Sequence, residues 1–194
     1  MNIEFAKAEH RYTVDGKTFP SVSQIIAPLV DFSMVRESVL DAAREFGSHV
    51  HEACALHCRD ALDWQTLDPA LVPYVEGWDR FLRDTGAVVI CSEEPIAHPT
   101  LKYAGTPDLI LAWDDFVAVP DIKATAAVPP TVGIQTAAYS RAYQATFGGK
   151  EPRRYCIHIT AKGYKSHRRT DPADWAMFQS CLNIYRFKEK NRAA

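Results

Sequence analysis

The sequence lacks the run of roughly 18 to 20 apolar residues that a membrane span needs, so no transmembrane helix is predicted. Its N-terminus, MNIEFAKAEHRYTV, has no basic segment followed by an apolar stretch, which predicts no secretory signal. The five cysteines show no spacing of a disulfide framework, which indicates reduced thiols in a cytoplasm. No GxxxxGK(S/T) loop is present, so no ATP binding is expected.

No repeat, low-complexity tract or linker divides the 194 residues, which predicts one domain over residues 1–194. The composition, 47% hydrophobic and 24% charged, is typical of a globular protein. The net charge of −2 combines −10 over residues 1–140 with +8 over the basic C-terminal third, residues 141–194. Such a basic region is typical of a polyanion-binding surface or of a solvated face, and charge alone leaves both interpretations open.

The order of the predicted elements favours an α+β fold with a central mixed β-sheet flanked by helices. The dipeptide Asp15-Gly16 predicts a tight hairpin, followed by a short helix in SQIIAPL. Longer helices are predicted over about 34–58, 69–85, 131–147 and 173–190. Strands are predicted over 88–95, 103–113 and 116–124, and a further strand with a basic turn in RRYCIHITAKGYKSHRR.

The segment YAGTPDLILAWDDFVAVPDIKAT is typical of a hairpin with acidic residues inside its strands. If Asp114-Asp115 is the turn, Asp108 lies directly across from Asp121, with Cβ atoms about 5 Å apart. Two carboxylates at that separation repel by roughly 3 kcal/mol at an effective dielectric constant of 20. A bound Mg²⁺ or Mn²⁺ offsets this repulsion. Lys123, two residues after Asp121, lies on the same face of the strand. The alternative is a pair of exposed edge aspartates beside a snorkelling lysine.

GTPDLIL, followed by DIK, resembles the split PD-(D/E)XK signature of the restriction-endonuclease-like nucleases. Three further elements resemble the RecB-like, phage-type exonuclease branch of that superfamily. They are Gly47 and His51 in GSHVH, Glu93 in EEPI with Glu94 as second choice, and Gln135 with Tyr139 in QTAAY. The segment YTVDGKTFPSVSQII also resembles the start of many phage-encoded members, so the resemblance covers about residues 10–145.

The resemblance implies a restriction-endonuclease-like core and a role for each matched residue. The implied metal ligands for Mg²⁺ or Mn²⁺ are His51, Asp108, Asp121 and the backbone carbonyl of Ile122. The implied catalytic residues are Asp108, Asp121, Lys123, Glu93, Gln135 and Tyr139. Gly47 is interpreted as the residue that lets its helix approach the sheet closely.

Some related nucleases carry an iron–sulfur cluster held by four cysteines. The cysteines of this chain do not reproduce that spacing, so no iron–sulfur cluster is expected; they are Cys54, Cys58, Cys91, Cys156 and Cys181.

The basic C-terminal third is predicted to track DNA phosphates beside the acidic site. The predicted DNA-binding residues are Gln135, Tyr139, Arg153, Arg154, Lys162, Lys165 and Arg168. Tyr155 and Tyr164 are interleaved with these cations, and their rings either stack on bases or pack in the core.

The sequence therefore predicts a Mg²⁺- or Mn²⁺-dependent DNA exonuclease that acts on duplex ends or single strands. A bacterial or phage-infected cytoplasm is the expected compartment, without membrane association. A phage or host recombination protein is the partner that the resemblance suggests. The alternatives are a structure-specific or nicking endonuclease, including one that processes spacer DNA, and a catalytically idle DNA-binding module of the same fold.

Overall fold

The computed structural model describes residues 1–31 and 33–192. The strands are β1 (Ile3–Ala6), β2 (Arg11–Val14), β3 (Lys17–Phe19), β4 (Val88–Ser92), β5 (Ile96–His98), β6 (Tyr103–Gly105), β7 (Leu109–Trp113), β8 (Phe116–Lys123), β9 (Arg153–Thr160) and β10 (Gly163–Arg169). The α-helices are α1 (Val22–Ile26), α2 (Glu37–Cys58), α3 (Val72–Thr85), α4 (Thr131–Phe147) and α5 (Ala173–Arg192). None of these helices is both long and apolar enough to cross a membrane.

The central sheet has five strands in the order β10-β9-β8-β7-β4. Its neighbours are antiparallel except β8 and β9, which run parallel because α4 forms the crossover between them. Two smaller sheets have the orders β1-β2-β3 and β5-β6. This architecture confirms the predicted α+β fold with a central mixed sheet.

Helices pack against both faces of the central sheet, because alternate side chains of each strand point to opposite sides. On one face, here called the α4 face, Val119 of β8 packs with Ala138 of α4 and Phe178 of α5. On the other, the α3 face, Ile157 of β9 packs with Phe81 of α3. The two faces therefore bury separate apolar clusters.

Two tight turns set the registers of the hairpins that the sequence predicts. Asp15 and Gly16 both have positive φ, 46° and 77°, as the predicted two-residue turn between β2 and β3 requires. At the second turn Asp114 has φ 52°, and Trp113 pairs with Phe116. The turn at Asp114-Asp115 is thus the one that the sequence predicts.

The single strand predicted over 103–113 is wrong, because the chain changes sheets within it. Tyr103–Gly105 pairs with β5, whereas Leu109–Trp113 pairs with β8 and β4. Pro107, between these strands, has no N–H for a ladder and a restricted φ, which favours a break. The break leaves Asp108 immediately before β7 rather than inside a strand.

The first half of α2 is more exposed than its apolar spacing predicts. The helix begins at Glu37, and Val39 in its first turn is 50% exposed. Its buried residues begin only at Val50. The second half of α2 is therefore the part that packs against the body of the protein.

Candidate active site

The end of β8, the segment before β7 and helix α2 bring four titratable side chains together. We call His51, Asp108, Asp121 and Lys123 the carboxylate corner. The β7–β8 ladder ends at Leu111 and Ala118. The predicted cross-strand pairing of Asp108 with Asp121 is therefore wrong. Instead, Asp108 Oδ2 accepts a hydrogen bond of 2.9 Å from the backbone N–H of Ile122. Asp108 is therefore attached to β8 beside Asp121 by its side chain.

α2 supplies the histidine of the carboxylate corner. His51 Nδ1 lies 3.3 Å from Asp108 Oδ1, and the charge of Asp108 raises the pKa of the imidazole. Burial acts to raise the pKa of Asp108, but His51, Lys123 and the Ile122 N–H together hold that pKa below its usual range. Asp108 is thus favoured as the anion beside His51.

The second carboxylate has the opposite environment. The side chain of Asp121 is 2% exposed, and burial and the charge of Asp108 raise its pKa above the usual range, against the influence of Lys123. Lys123 Nζ lies 2.6 Å from Asp121 Oδ2, but this buried oxygen has no hydrogen-bond donor in good alignment among the described residues. Burial acts to lower the pKa of Lys123, but Asp121 and Asp108 raise it on balance, so its ammonium stays charged. Neighbouring carboxylates with oppositely shifted pKa values are typical of functional sites.

A small cavity lies against the carboxylate corner. Its volume is about 10 Å³, comparable to that of one water-sized probe, and its lining residues include His51, Glu93, Asp108 and Ile122. Glu93 follows β4 and has φ 54°, a left-handed conformation that costs a non-glycine residue roughly 1 kcal/mol or more. Its N–H donates to the carbonyl of Asp108 at 3.1 Å. Glu94, the second choice from the sequence, is not among the residues that line this cavity.

The Gln–Tyr pair of α4 lies beside the carboxylates. Gln135 Nε2 donates to Tyr139 Oη at 3.4 Å, so the two side chains share a helix face as predicted. Tyr139 is 6% exposed; burial raises the pKa of its phenol, and Asp108 and Asp121 are near enough to raise it further. A Cβ on Gly105 would lie 2.7 Å from Tyr139 Cε1, so the absent side chain at Gly105 makes room for the ring.

Gly47, one turn before His51, does not have the role that the sequence predicts. A Cβ built at Gly47 meets no described atom within 4 Å. The interpretation that this glycine permits a close approach of α2 to the sheet is therefore wrong.

The predicted DNA-binding arginines at the start of β9 make contacts within the protein. Arg154 Nη1 donates to Asp174 Oδ2 at 2.8 Å and to the Gly133 carbonyl at 3.0 Å, which joins β9 to α4 and α5. Arg153 lies over the ring of Phe116, 3.8 Å from its centroid. These contacts give Arg154 a structural role and leave the exposed cations of the next strand as better candidates for DNA contact.

The remaining predicted cations lie at or near β10. Lys162 is exposed in the turn after β9, and Lys165 and Arg168 are exposed on β10. Tyr164, between them, donates to Asp84 Oδ2 at 2.9 Å and packs against Phe81. Tyr155 packs against Trp113, so both tyrosines belong to the core of the α3 face rather than to an open stacking surface.

Two residues near the site carry no signal that the sequence interpretation used. His158 Nε2 lies 2.6 Å from the carbonyl of Thr125, which anchors the segment after β8. Tyr12 Oη forms a hydrogen bond of 2.8 Å with Thr106 Oγ1, which ties β2 to the segment before β7. The alternation of β9, the strand beside β8, would have indicated His158, whereas Tyr12 is distant in sequence and has no local signal.

The carboxylate corner fits a divalent cation by its chemistry. The two carboxylates are ligands that suit Mg²⁺ or Mn²⁺, and the buried oxygen Asp121 Oδ2 lacks an aligned donor. In the present positions the described residues include no group of three or more His, Cys, Asp or Glu side chains that could hold a metal ion. His51 is paired with Asp108 and Lys123 with Asp121 instead.

Comparisons with known proteins give distant similarities only. No protein-family profile and no curated protein matches the sequence. Among solved structures, the chain is similar to an alkaline exonuclease, LHK-Exo, from Laribacter hongkongensis, with 13% identity over 89% of this chain and 88% of that one and a TM-score of 0.46. A second structure of LHK-Exo, in complex with dAMP, has 16% identity over 90% and 89% of the two chains and a TM-score of 0.41. SSO0001 has 17% identity over 56% of this chain and 54% of that one, with a TM-score of 0.33.

Proposed function

We propose that the chain is a PD-(D/E)XK-type nuclease that hydrolyses DNA phosphodiester bonds with Mg²⁺ or Mn²⁺, as an exonuclease on DNA ends or single strands. The observation that carries the proposal is the carboxylate corner. There, two adjacent carboxylates have oppositely shifted pKa values, one beside a histidine and the other beside a lysine. A structural ion-pair network has no need for a second carboxylate that is disfavoured as an anion.

His51, Asp108, Asp121 and the Ile122 carbonyl would hold the cation. When bound there, it supplies Lewis-acid polarisation of a phosphoryl oxygen and lowers the pKa of a water molecule. His51, Lys123 and the Ile122 N–H counter the repulsion between Asp108 and Asp121, and a cation of charge +2 would offset it further.

Lys123 stabilises charge at the reacting phosphate. Its ammonium is held by Asp121 at 2.6 Å, and its side chain is 21% exposed, so it is fixed on one side and reachable on the other. A fixed donor stabilises the negative charge that develops on the phosphoryl oxygens without reorganisation during the reaction.

In this proposal Glu93 accepts the proton of the attacking water, and its position in the lining of the same small cavity as His51 and Asp108 supports that role. The water oxygen bonds to phosphorus as the bond from phosphorus to one sugar oxygen breaks, and that oxygen takes a proton from solvent. Gln135 and Tyr139 offer hydrogen-bond donors beside the carboxylates without adding charge.

One digestion series tests this proposal. Linear single-stranded and duplex DNA, labelled at either end, and circular single-stranded DNA are incubated with Mg²⁺, Mn²⁺ or EDTA. An exonuclease degrades the linear substrates with metal and leaves the circle intact, whereas a nicking or structure-specific endonuclease opens the circle. Full cleavage by the purified Asp121→Ala protein, or equal cleavage in EDTA, would contradict the proposal.

A further inference from the structure

The edge strand β10 carries positive charge that the protein does not neutralise. None of the described carboxylates forms an ion pair with Lys165, Arg168 or Arg169. In addition, Arg169 Nε is buried without a hydrogen-bond partner among the described residues. By contrast, Arg154 on the neighbouring strand is paired with Asp174. The exposed cations of β10, Lys165 and Arg168, are therefore available to an external anion.

The register of the sheet aligns part of this charge with the carboxylate corner. Lys123 pairs with His158, and His158 pairs with Lys165, so these three residues form one row across three strands. Asp121, Cys156 and His167 form the next row. Residues that pair in this way point to the same side of a sheet. Lys165, His167 and, two residues on, Arg169 thus lie on the same α4 face as Asp121 and Lys123.

Side-chain contacts agree with this assignment of faces. The rings of His158 and His167 have centroids 6.4 Å apart, so both lie on one side of the β9–β10 pair. Cys156 pairs with Asp121 on one side and with His167 on the other, so it lies between the corner and β10. We call Lys165, His167 and Arg169 the basic row.

Arg168 lies on the opposite face, although it is exposed like Lys165. It pairs with Tyr155, whose ring packs against Trp113 in the α3-face cluster. On that face Asp84 accepts a hydrogen bond from Tyr164 of β10, so a carboxylate lies at the surface there. An anion that follows the α3 face would meet this negative charge.

We propose that one DNA strand crosses the α4 face of β9 and β10, with its phosphates against the basic row, and continues to Asp121 and Lys123. This inference rests on the proposed function for its substrate. Neighbouring strands are about 4.8 Å apart, so the backbones of Lys165 and Lys123 are separated by roughly 10 Å. At about 3.4 Å per stacked nucleotide, the phosphate at Lys165 lies about three nucleotides from the scissile bond.

The proposal separates two cations that the sequence treats alike, and this separation provides the test. The full-length wild type, Lys165→Gln and Arg168→Gln are titrated into a fluorescein-labelled single-stranded 20-mer in EDTA, at several salt concentrations, with anisotropy as the readout. Lys165→Gln should weaken binding about three- to tenfold and reduce the slope of log affinity against log salt by about 0.7, the loss expected for one phosphate contact on a single strand. Arg168→Gln should lower affinity less than twofold and leave the slope unchanged.

The two variants are matched, since each removes one exposed charge from the same strand and neither residue has an ion pair among the described residues. Equal losses for both variants, a loss for neither, or no binding by the wild type would overturn the path. A split between the variants in a protein that cleaves no DNA with either metal would sustain the path and refute the nuclease. Metal-dependent cleavage of DNA without a difference in binding between the two variants would sustain the nuclease and refute the path.

Discussion

The carboxylate corner and the basic row lie along one face of one sheet, but the charges of the corner are paired and those of the row are not. In the corner each charged side chain has a partner, with His51 at 3.3 Å from Asp108 and Lys123 at 2.6 Å from Asp121. In the basic row neither Lys165 nor Arg169 has a carboxylate partner among the described residues. The paired charges of the corner are held in fixed positions, whereas the unpaired charges of the row can be neutralised by an anionic ligand. Chemistry is therefore expected from the corner and affinity from the row.

The largest expected difference between the two regions is in the rate of cleavage. Lys123→Ala should lower the single-turnover rate about 10²- to 10³-fold, because it removes a fixed donor that acts on the transition state. Lys165→Gln should raise KM several-fold with little change in kcat, since it removes an interaction made equally with bound substrate and transition state. Rates at saturating DNA, with circular dichroism to verify folding, measure both. A large fall in kcat for Lys165→Gln would remove the distinction.

The next difference concerns pH and the stability of the protein without divalent metal. Burial and Asp108 raise the pKa of Asp121 to about 6, so its folded pKa is above its unfolded value of about 3.9. A group of this kind stabilises the fold below its unfolded pKa, and that stabilisation is lost as pH rises through its folded pKa. The free energy of unfolding in EDTA should therefore decrease between pH 4 and pH 6, by on the order of 2 kcal/mol from Asp121 alone.

Urea unfolding of the wild type and of Asp121→Asn, compared at pH 4, 5, 6 and 7 in EDTA, isolates this contribution. The amide does not titrate, so the variant should lack that part of the decrease. Parallel pH profiles for the two proteins would show that the pKa of Asp121 is not raised in the folded protein.

A third prediction concerns the packing that supports the carboxylate corner. Gly105→Ala would place a Cβ 2.7 Å from the ring of Tyr139, which is buried between β6 and α4. The ring must shift, and overpacking of this kind costs about 1 to 3 kcal/mol. Chemical denaturation measures the loss of stability, and cleavage should fall with it because Tyr139 lies beside Asp108 and Asp121. An unchanged midpoint would mean that the corner tolerates movement of this ring.

The smallest expected effect distinguishes the two halves of α2. Gly47→Ala meets no described atom within 4 Å and removes a glycine from the interior of a helix, so it should stabilise the protein by about 0.5 to 1 kcal/mol. Cleavage should not change, because His51 keeps its position through the buried second half of the helix. The midpoint of urea unfolding measures the gain. A destabilised variant would instead support the interpretation that Gly47 permits a close approach of α2 to the sheet.

Much of this arrangement is accessible from the sequence because its signals are local. Asp114-Asp115 occupies the predicted turn and sets the pairing of Trp113 with Phe116. The helix predicted over 131–147 is α4 with the same bounds, and its i, i+4 spacing puts Gln135 and Tyr139 in contact. The prediction of one strand over 103–113 joined two apolar stretches across the Gly-Thr-Pro-Asp segment at 105–108, although Pro107 was a signal against one continuous strand.

The sequence by itself determined which residues alternate, turn or share a helix face, since these follow from neighbours a few positions apart. Only the tertiary structure decided that His51 meets Asp108, that Arg154 joins β9 to α5, and that Lys165 rather than Arg168 lies on the same side of the sheet as Asp121 and Lys123. The last of these outcomes depends on the parallel register between β8 and β9. That register is set by the packing of the α4 crossover against the sheet, and long-range packing of this kind leaves no local pattern in the chain.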